Sequence, residues 1–100
     1  MSKLPVVNWN LQASKRFKKI YDQILEDSFS GAQKVRNEIN AVIDILPDNP
    51  EIYPLDKYKR DNPGNYRAFE KHSYRIAYRH TEKEIRILRI RHVKQEPKKH

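Results

Sequence analysis

The first half of the chain has the spacing of two amphipathic helices. Apolar residues recur every three or four positions along residues 11–27 and again along residues 30–46, with charged residues opposite them. Ser30 and Gln33 have the spacing of a capping box at the start of the second helix, and Pro47 ends it. Because only a few residues separate the two helices, we expect them to pack antiparallel as neighbours.

The second half predicts a sheet. Residues 65–71, 74–80 and 84–92 read as strands, and the short polar turns between them predict an antiparallel meander. Residues 4–9 form a further β-prone run, which we expect to pair at one edge of the sheet, and Asn10 follows as the N-cap of the first helix. The expected architecture is an α+β fold in the order β-α-α-β-β-β, an antiparallel sheet backed by a helical hairpin.

The pattern does not decide which face of this sheet the helices cover. Strict alternation along the last strand places Ile85 and Ile87 on one face and Ile90 on the other. Both faces would then carry apolar and charged residues. The proline-rich residues 47–64 are expected to form a surface loop that leads into the first strand of the meander.

Size and charge narrow the range of partners. A chain of 100 residues is expected to form one domain, residues 1–100, which ends in a basic tail at residues 93–100. Lys and Arg outnumber Asp and Glu by 21 to 13, which gives a net charge of +8. This charge favours an acidic partner, either nucleic acid or an acidic protein segment, although solubility alone would also explain it.

Several kinds of chemistry are excluded by residue content and spacing. There is no cysteine for disulfides or thiolate metal sites, and the four histidines lack the spacing of metal ligands. Gly31 and Gly64 are isolated, so there is no glycine-rich phosphate loop. We therefore expect no metal and no other cofactor. Without a signal peptide or a long apolar run, a cytoplasmic protein that makes no membrane contact is expected.

Arginine and histidine in the strands offer a metal-free chemistry on RNA. Since RNA carries its own nucleophile, the 2′-hydroxyl, its cleavage needs a base, an acid and cations around the phosphate. Arg75 lies in mid-strand, where its guanidinium could clamp a phosphate, and Arg67 on the neighbouring strand is expected to face the same groove. His92, at a strand end, is the candidate acid or base, and Lys94 could share its side.

The assignments of Arg75, Arg67 and His92 have structural alternatives, and that of Arg67 is similar to that of Arg75. Arg75 could instead pair with Glu70 or Glu84 across the sheet, and His92 could be a plain surface residue. Further basic residues are candidates for binding nucleic acid or a partner protein: Lys57, Lys59, Arg60, Arg79, Arg89 and Arg91. For the three that lie on the loop, a solvated run of charge is the alternative.

Two short runs stand in a recognisable order with His92 and Pro97. They are Tyr74-Arg75-Ile76-x-Tyr78 and Ile85-x-Ile87-Leu88-Arg89-Ile90. In this order, after a strand, a helical hairpin and a proline-containing loop, they resemble the RelE/ParE superfamily of bacterial toxins. The resemblance implies the toxin of a type II toxin–antitoxin pair, whose cognate acidic antitoxin wraps the toxin and masks it.

The superfamily has two branches with different targets. RelE-like members are ribosome-dependent mRNA endonucleases, and Arg75 and His92 resemble a strand arginine and a C-terminal histidine of such nucleases. ParE-like members inhibit DNA gyrase and generally lack that set; here Arg67 and Phe69 stand where RelE places a lysine pair. We predict ribosome-dependent, metal-free mRNA cleavage by Arg67, Arg75, His92 and Lys94. Gyrase inhibition without catalysis is the alternative, and a non-toxic RNA-binding module is the second.

Overall fold

Six elements follow one another in the computed structural model, which describes residues 3–95. They are strand β1 (Val6–Trp9), helix α1 (Leu11–Asp27), helix α2 (Phe29–Asp44), and strands β2 (Tyr66–Lys71), β3 (Tyr74–His80) and β4 (Glu84–His92). The α+β fold expected from the sequence is confirmed. The last part of the predicted basic tail, residues 96–100, lies outside the described residues.

The sheet has four strands in the order β1-β4-β3-β2. β2, β3 and β4 form the predicted antiparallel meander, but β1 pairs parallel with β4, with Val6 opposite Glu84 and Trp9 opposite Ile87. The sheet is therefore mixed, and the expectation of a purely antiparallel sheet is wrong in this detail. A tight turn forces two strands to run antiparallel, whereas the long connection through both helices permits a parallel pair.

A β-bulge in β4 gives the helices an apolar sheet face. The extra residue is Leu88, which falls between the β4 partners of Ala77 and Tyr78. Because a bulge adds one residue to one strand, it resets the alternation of side chains beyond it. The strict alternation expected along this strand is therefore wrong, and the three isoleucines of β4 are all buried in one core: Ile85, Ile87 and Ile90.

The helical hairpin packs on this apolar face. α1 contacts both α2 and β4. Ile20 of α1 and Ile39 and Ile43 of α2 join the core cluster, which also contains Ile76 and Tyr78 of β3. The arginines of β3 alternate with these two residues and point to the other side of the sheet. We call that side the open face.

The helix caps differ from those expected. α2 begins at Phe29, and Ser28 is its N-cap, since the Ser28 Oγ accepts a hydrogen bond from the Gly31 N–H at 2.9 Å. Ser30 therefore lies in the first turn of the helix and not at the cap. Asn10 does occupy the N-cap position of α1, but it makes no side-chain cap bond. Its Oδ1 accepts instead from Arg86 Nη1 at 3.1 Å.

The loop before β2 is held against the sheet at several points. The Tyr78 hydroxyl donates to the Pro50 carbonyl at 2.7 Å, and the Tyr53 ring packs on Phe69 with the ring centroids 5.1 Å apart. Leu55 forms an isolated antiparallel bridge with Arg67. These contacts place residues 53–56 along the outer edge of β2 and bring the residues that follow to the open face.

Candidate functional site on the open face of the sheet

Arg75 is held by two carboxylates on the open face. Its Nη2 lies 3.0 Å from Asp56 Oδ1 and its Nη1 lies 3.2 Å from Glu70 Oε2. The Arg75 side chain is 11% exposed, and that of Asp56 only 1%. The predicted alternative of a pair with Glu70 is thus present, together with a buried carboxylate that the sequence did not reveal. Such a pair is costly to bury and must remain intact for the fold to be stable.

Tyr58 covers a cluster of cations on this face. Its ring centroid lies 4.9 Å from the Arg75 guanidinium carbon, 5.3 Å from that of Arg91 and 5.2 Å from Lys57 Nζ. Arg75 and Arg91 are direct cross-strand partners. Like charges opposite one another destabilise a sheet, so the π-face of Tyr58 and the carboxylate of Asp56 offset this repulsion.

Glu84 organises the other end of the open face. Its carboxylate accepts from Arg86 Nε at 3.0 Å and from Arg86 Nη2 at 3.1 Å, a bidentate pair. It also accepts from Arg79 Nη2 at 3.0 Å and from Asn8 Nδ2 at 2.9 Å. The hydrogen bonds from Arg86, and to a smaller extent the one from Asn8, lower the pKa of Glu84 to about 2. The hydrogen bonds to Glu84 in turn raise the pKa of Arg86. Hydrogen bonds of this cluster therefore link β1 to β4 and β3.

Arg67 lies on the opposite side of the sheet from Arg75. It is the β2 partner of Tyr78, whose side chain is in the core beneath the helices. Its Nε donates to His80 Nε2 at 3.3 Å, and its Nη1 donates to the Tyr53 carbonyl at 2.7 Å. The structure therefore does not bring Arg67 and Arg75 into one groove.

His92 also lies away from Arg75. It is the cross-strand partner of Tyr74, and the two rings meet edge to face with the centroids 5.4 Å apart. The His92 Nδ1 accepts from the Lys94 backbone N–H at 3.1 Å, so a neutral ring carries its proton on Nε2. Lys94 is exposed in the turn after β4. The four residues predicted to cleave RNA do not converge on one point.

The residues predicted to bind a partner come together more closely. Arg79 and Arg91 lie on the open face, and Arg89 is exposed beside the bulge. Lys59 Nζ lies 4.7 Å from the ring centroid of Tyr66, which is the cross-strand partner of Arg79. Lys57 and Arg60 flank them on the loop. Sequence reasoning missed Asp56 and Tyr58 as residues that hold these cations, and it considered Glu84 only as a partner of Arg75, whereas Glu84 pairs with Arg79 and Arg86. The only local signal was the Asp-x-Tyr spacing, which forms a turn with the Tyr58 N–H 3.0 Å from Asp56 Oδ1.

A second polar cluster lies under the loop on the helix side. Burial lowers the pKa of His80, and the neighbouring Arg67 cation lowers it further. Burial likewise raises the pKa of Tyr78 to about 12. Both groups therefore stay neutral near pH 7, which suits the hydrogen bond that His80 accepts and the one that Tyr78 donates.

Residues 3–95 contain no group of three or more His, Asp or Glu that could hold a metal ion. Over the same residues, no helix combines the length and the apolar character needed to cross a membrane.

Comparison with known proteins identifies a family. The profile described as "ParE toxin of type II toxin-antitoxin system, parDE" matches residues 7–97. A solved structure titled "Chromosomal ParDE TA system from P. aeruginosa" contains a similar chain, with a TM-score of 0.68 and 22% sequence identity over 89% of this chain and 96% of that one. At this identity the likeness concerns the fold. No curated protein sequence matches the chain.

Proposed function

Because the chain belongs to the ParE toxin family of type II toxin–antitoxin systems, we propose that it inhibits growth by binding DNA gyrase through its open face, without cleaving RNA. Membership of such a system implies a cognate antitoxin as its partner. Gyrase is the target implied by the ParE branch. The open face and the loop residues beside it are the surface that we assign to this contact.

The observation that carries the proposal is the separation of the predicted catalytic residues. Cleavage of RNA at a 2′-hydroxyl needs a base, an acid and a cation around one phosphate. Arg67 and Arg75 lie on opposite faces, and His92 packs against Tyr74 on the helix side. The one member of the set on the open face, Arg75, is already paired with Asp56 and Glu70. A binding role requires no such convergence.

The open face also has the chemistry of a protein-binding surface. Arginine and tyrosine are the residues that most often contribute strongly to interfaces. Here Arg75, Arg79 and Arg86 are held by carboxylates, and Arg75 and Arg91 by Tyr58. Side chains that are fixed before binding lose less conformational entropy on association.

The test is inhibition of gyrase supercoiling by the purified chain and by Lys57→Glu and Arg60→Glu. Both positions are exposed on the loop beside the open face. We expect each reversal to weaken inhibition by about tenfold, since like charge at an interface opposes binding. Lys19→Glu, an exposed lysine on the outer side of α1, is the matched control and should inhibit like the wild type.

One observation favours the second candidate, ribosome-dependent mRNA cleavage: Arg75 and Arg91 lie side by side on the face opposite to the one that α1 and α2 cover. Mapping of mRNA 5′ ends after induced expression separates the two functions. New ends with the wild type that vanish in His92→Ala would overturn the gyrase proposal. Growth arrest without new ends, and an unimpaired His92→Ala, is the result that we expect.

A further inference from the structure

One segment of the loop touches both faces of the sheet, and we call it the strap (residues 50–58). Its first residues lie on the helix side, where the Tyr53 ring packs against the core. It then passes the outer edge of β2, where the Asp56 N–H donates to a β2 carbonyl at 2.9 Å. Its last residues reach the open face, where Asp56 and Tyr58 hold Arg75. A change in the strap on one face of the sheet therefore affects the other face.

Two strand side chains hold the first part of the strap. Arg67 Nη1 donates to the Tyr53 carbonyl at 2.7 Å, and the Tyr78 hydroxyl donates to the Pro50 carbonyl at 2.7 Å. Because both acceptors are backbone carbonyls, these bonds fix the course of the strap itself. The guanidinium of Arg67 is oriented in turn by its Nε, which donates to His80 Nε2 at 3.3 Å.

The bond between Arg67 and His80 depends on the protonation of the imidazole. An arginine side chain only donates, so His80 Nε2 must be an unprotonated acceptor, and the neutral ring carries its proton on Nδ1. A proton on Nε2 would set one donor against another and place two cations side by side. Because arginine keeps its charge, the guanidinium must then turn away, and the Tyr53 carbonyl loses its donor.

The charges around His80 act in opposite directions. Burial of the ring and Arg67 on β2 oppose a positive imidazole, whereas the Glu51 carboxylate on the strap favours it. Tyr78 on the same strand has its ring centroid 6.4 Å away and is neutral, and Ile85, the cross-strand partner on β4, is apolar. Burial and Arg67 prevail, so the pKa of His80 lies below its ordinary value of 6.5 while the strap is in place. Acid therefore favours the open strap, in which the imidazole is an ordinary one.

We propose that Arg67 and His80 form a proton-sensitive latch that couples the two faces of the sheet. With His80 neutral, the latch is closed, and the strap keeps Asp56 and Tyr58 on the open face. Protonation of His80 opens the latch, frees the first part of the strap and loosens the cover of Tyr58 over Arg75. The open face then loses its fixed arrangement of cations while the sheet stays folded. The inference concerns the chain alone and does not depend on gyrase as its target.

The experiment follows the His80 ring and selected amides of the isolated chain by NMR against pH. The Tyr58 N–H donates to Asp56 Oδ1 at 3.0 Å and reports on the open face. The Asn10 N–H donates to the Ile87 carbonyl at 2.9 Å and reports on the sheet away from the strap. We expect the Tyr58 signal to shift with the same midpoint as the His80 ring, below pH 6.5, while the Asn10 signal stays in place.

Three variants separate the latch from other titrating groups. His80→Gln keeps an acceptor for Arg67 but takes up no proton, so the Tyr58 shift should disappear. Glu51→Gln removes the carboxylate that favours the charged ring and should move the midpoint to lower pH. His72→Asn is the matched control, because His72 lies in the turn between β2 and β3 and pairs with a glutamate of α2. Asn suits the positive φ of 52° at that position, and the Tyr58 shift should be retained.

Three results would overturn the proposal. Titration of the His80 ring with an unmoved Tyr58 amide would confine its effect to the helix side. A Tyr58 shift that persists in His80→Gln would belong to a carboxylate of the open face. A joint shift of the Asn10 and Tyr58 amides would mean that the sheet unfolds before the latch opens. All three are measured on the isolated chain, so failure of the gyrase proposal would be recognised separately in the supercoiling assay.

Discussion

Arg75 and Asp56 form a nearly buried ion pair, 3.0 Å from Nη2 to Oδ1, that joins the middle of β3 to the loop between α2 and β2. The two residues are 19 positions apart in the chain. Asp56 also accepts the Tyr58 N–H at 3.0 Å, so one carboxylate fixes both the guanidinium and the turn that carries the aromatic ring over it. The arrangement of the open face depends on this pair.

Loss of the Asp56 carboxylate should be costly. Asp56→Ala leaves the Arg75 guanidinium buried without its main partner, and we expect the free energy of unfolding in urea to fall by about 3–5 kcal/mol. Glu70→Ala removes the second partner, whose side chain is 54% exposed, and should cost less than about 1 kcal/mol. Similar losses in the two variants would contradict the central role of Asp56.

Ser28 should matter more than Ser30 for the start of α2. Ser28→Ala removes the acceptor of the Gly31 N–H, and we expect a loss of about 1 kcal/mol of stability. Ser30→Ala keeps this bond and serves as the control. Thermal or urea unfolding of the two variants distinguishes the observed cap from the one expected from sequence.

The stability of the fold should decrease as the pH falls below the ordinary His value of 6.5. Since burial and Arg67 lower the pKa of folded His80, the unfolded chain takes up a proton where the folded chain does not, and stability is lost until the folded His80 titrates. His80→Gln keeps an acceptor for Arg67 but does not titrate, so its stability should vary less across this range. Urea unfolding at several pH values gives the slopes; equal slopes in the two proteins would contradict the assignment.

Glu84 should titrate far below an ordinary glutamate. Its pKa of about 2 means that its contribution to stability is complete above 4.5 and is lost as the pH falls through about 2. Arg86→Lys replaces the bidentate donor with a single ammonium, and we expect the pKa of Glu84 to rise toward 4.5. Carboxyl chemical shifts followed by NMR against pH measure both values, and an unchanged pKa in the variant would show that Arg86 is not the main cause.

The candidate site was predicted in its charges but not in its arrangement. Arg75, Arg79 and Arg91 stand out in the sequence as arginines on strands, and the structure places all three on the open face. Glu70 is expected from the sequence as a possible partner of Arg75, but Asp56 is not, because an aspartate in a proline-rich loop usually lies in solvent and nothing local marks it as buried. The expected proximity of Arg67 and Arg75 is wrong because their side chains lie on opposite faces of the sheet. Arg67 is the cross-strand partner of Tyr78, whose side chain points to the helices.

The sequence by itself determined the elements and their order. Helical periodicity and short polar turns are local properties, so the hairpin and the meander follow from the nearest neighbours along the chain. The tertiary structure decided the direction of β1, which is joined to the other strands by a long connection. It also decided which side chains of β4 face the helices. Leu88 is like any other strand residue until β3 lies beside it; only the pairing makes it a bulge, and the bulge turns Ile90 toward the core with Ile85 and Ile87.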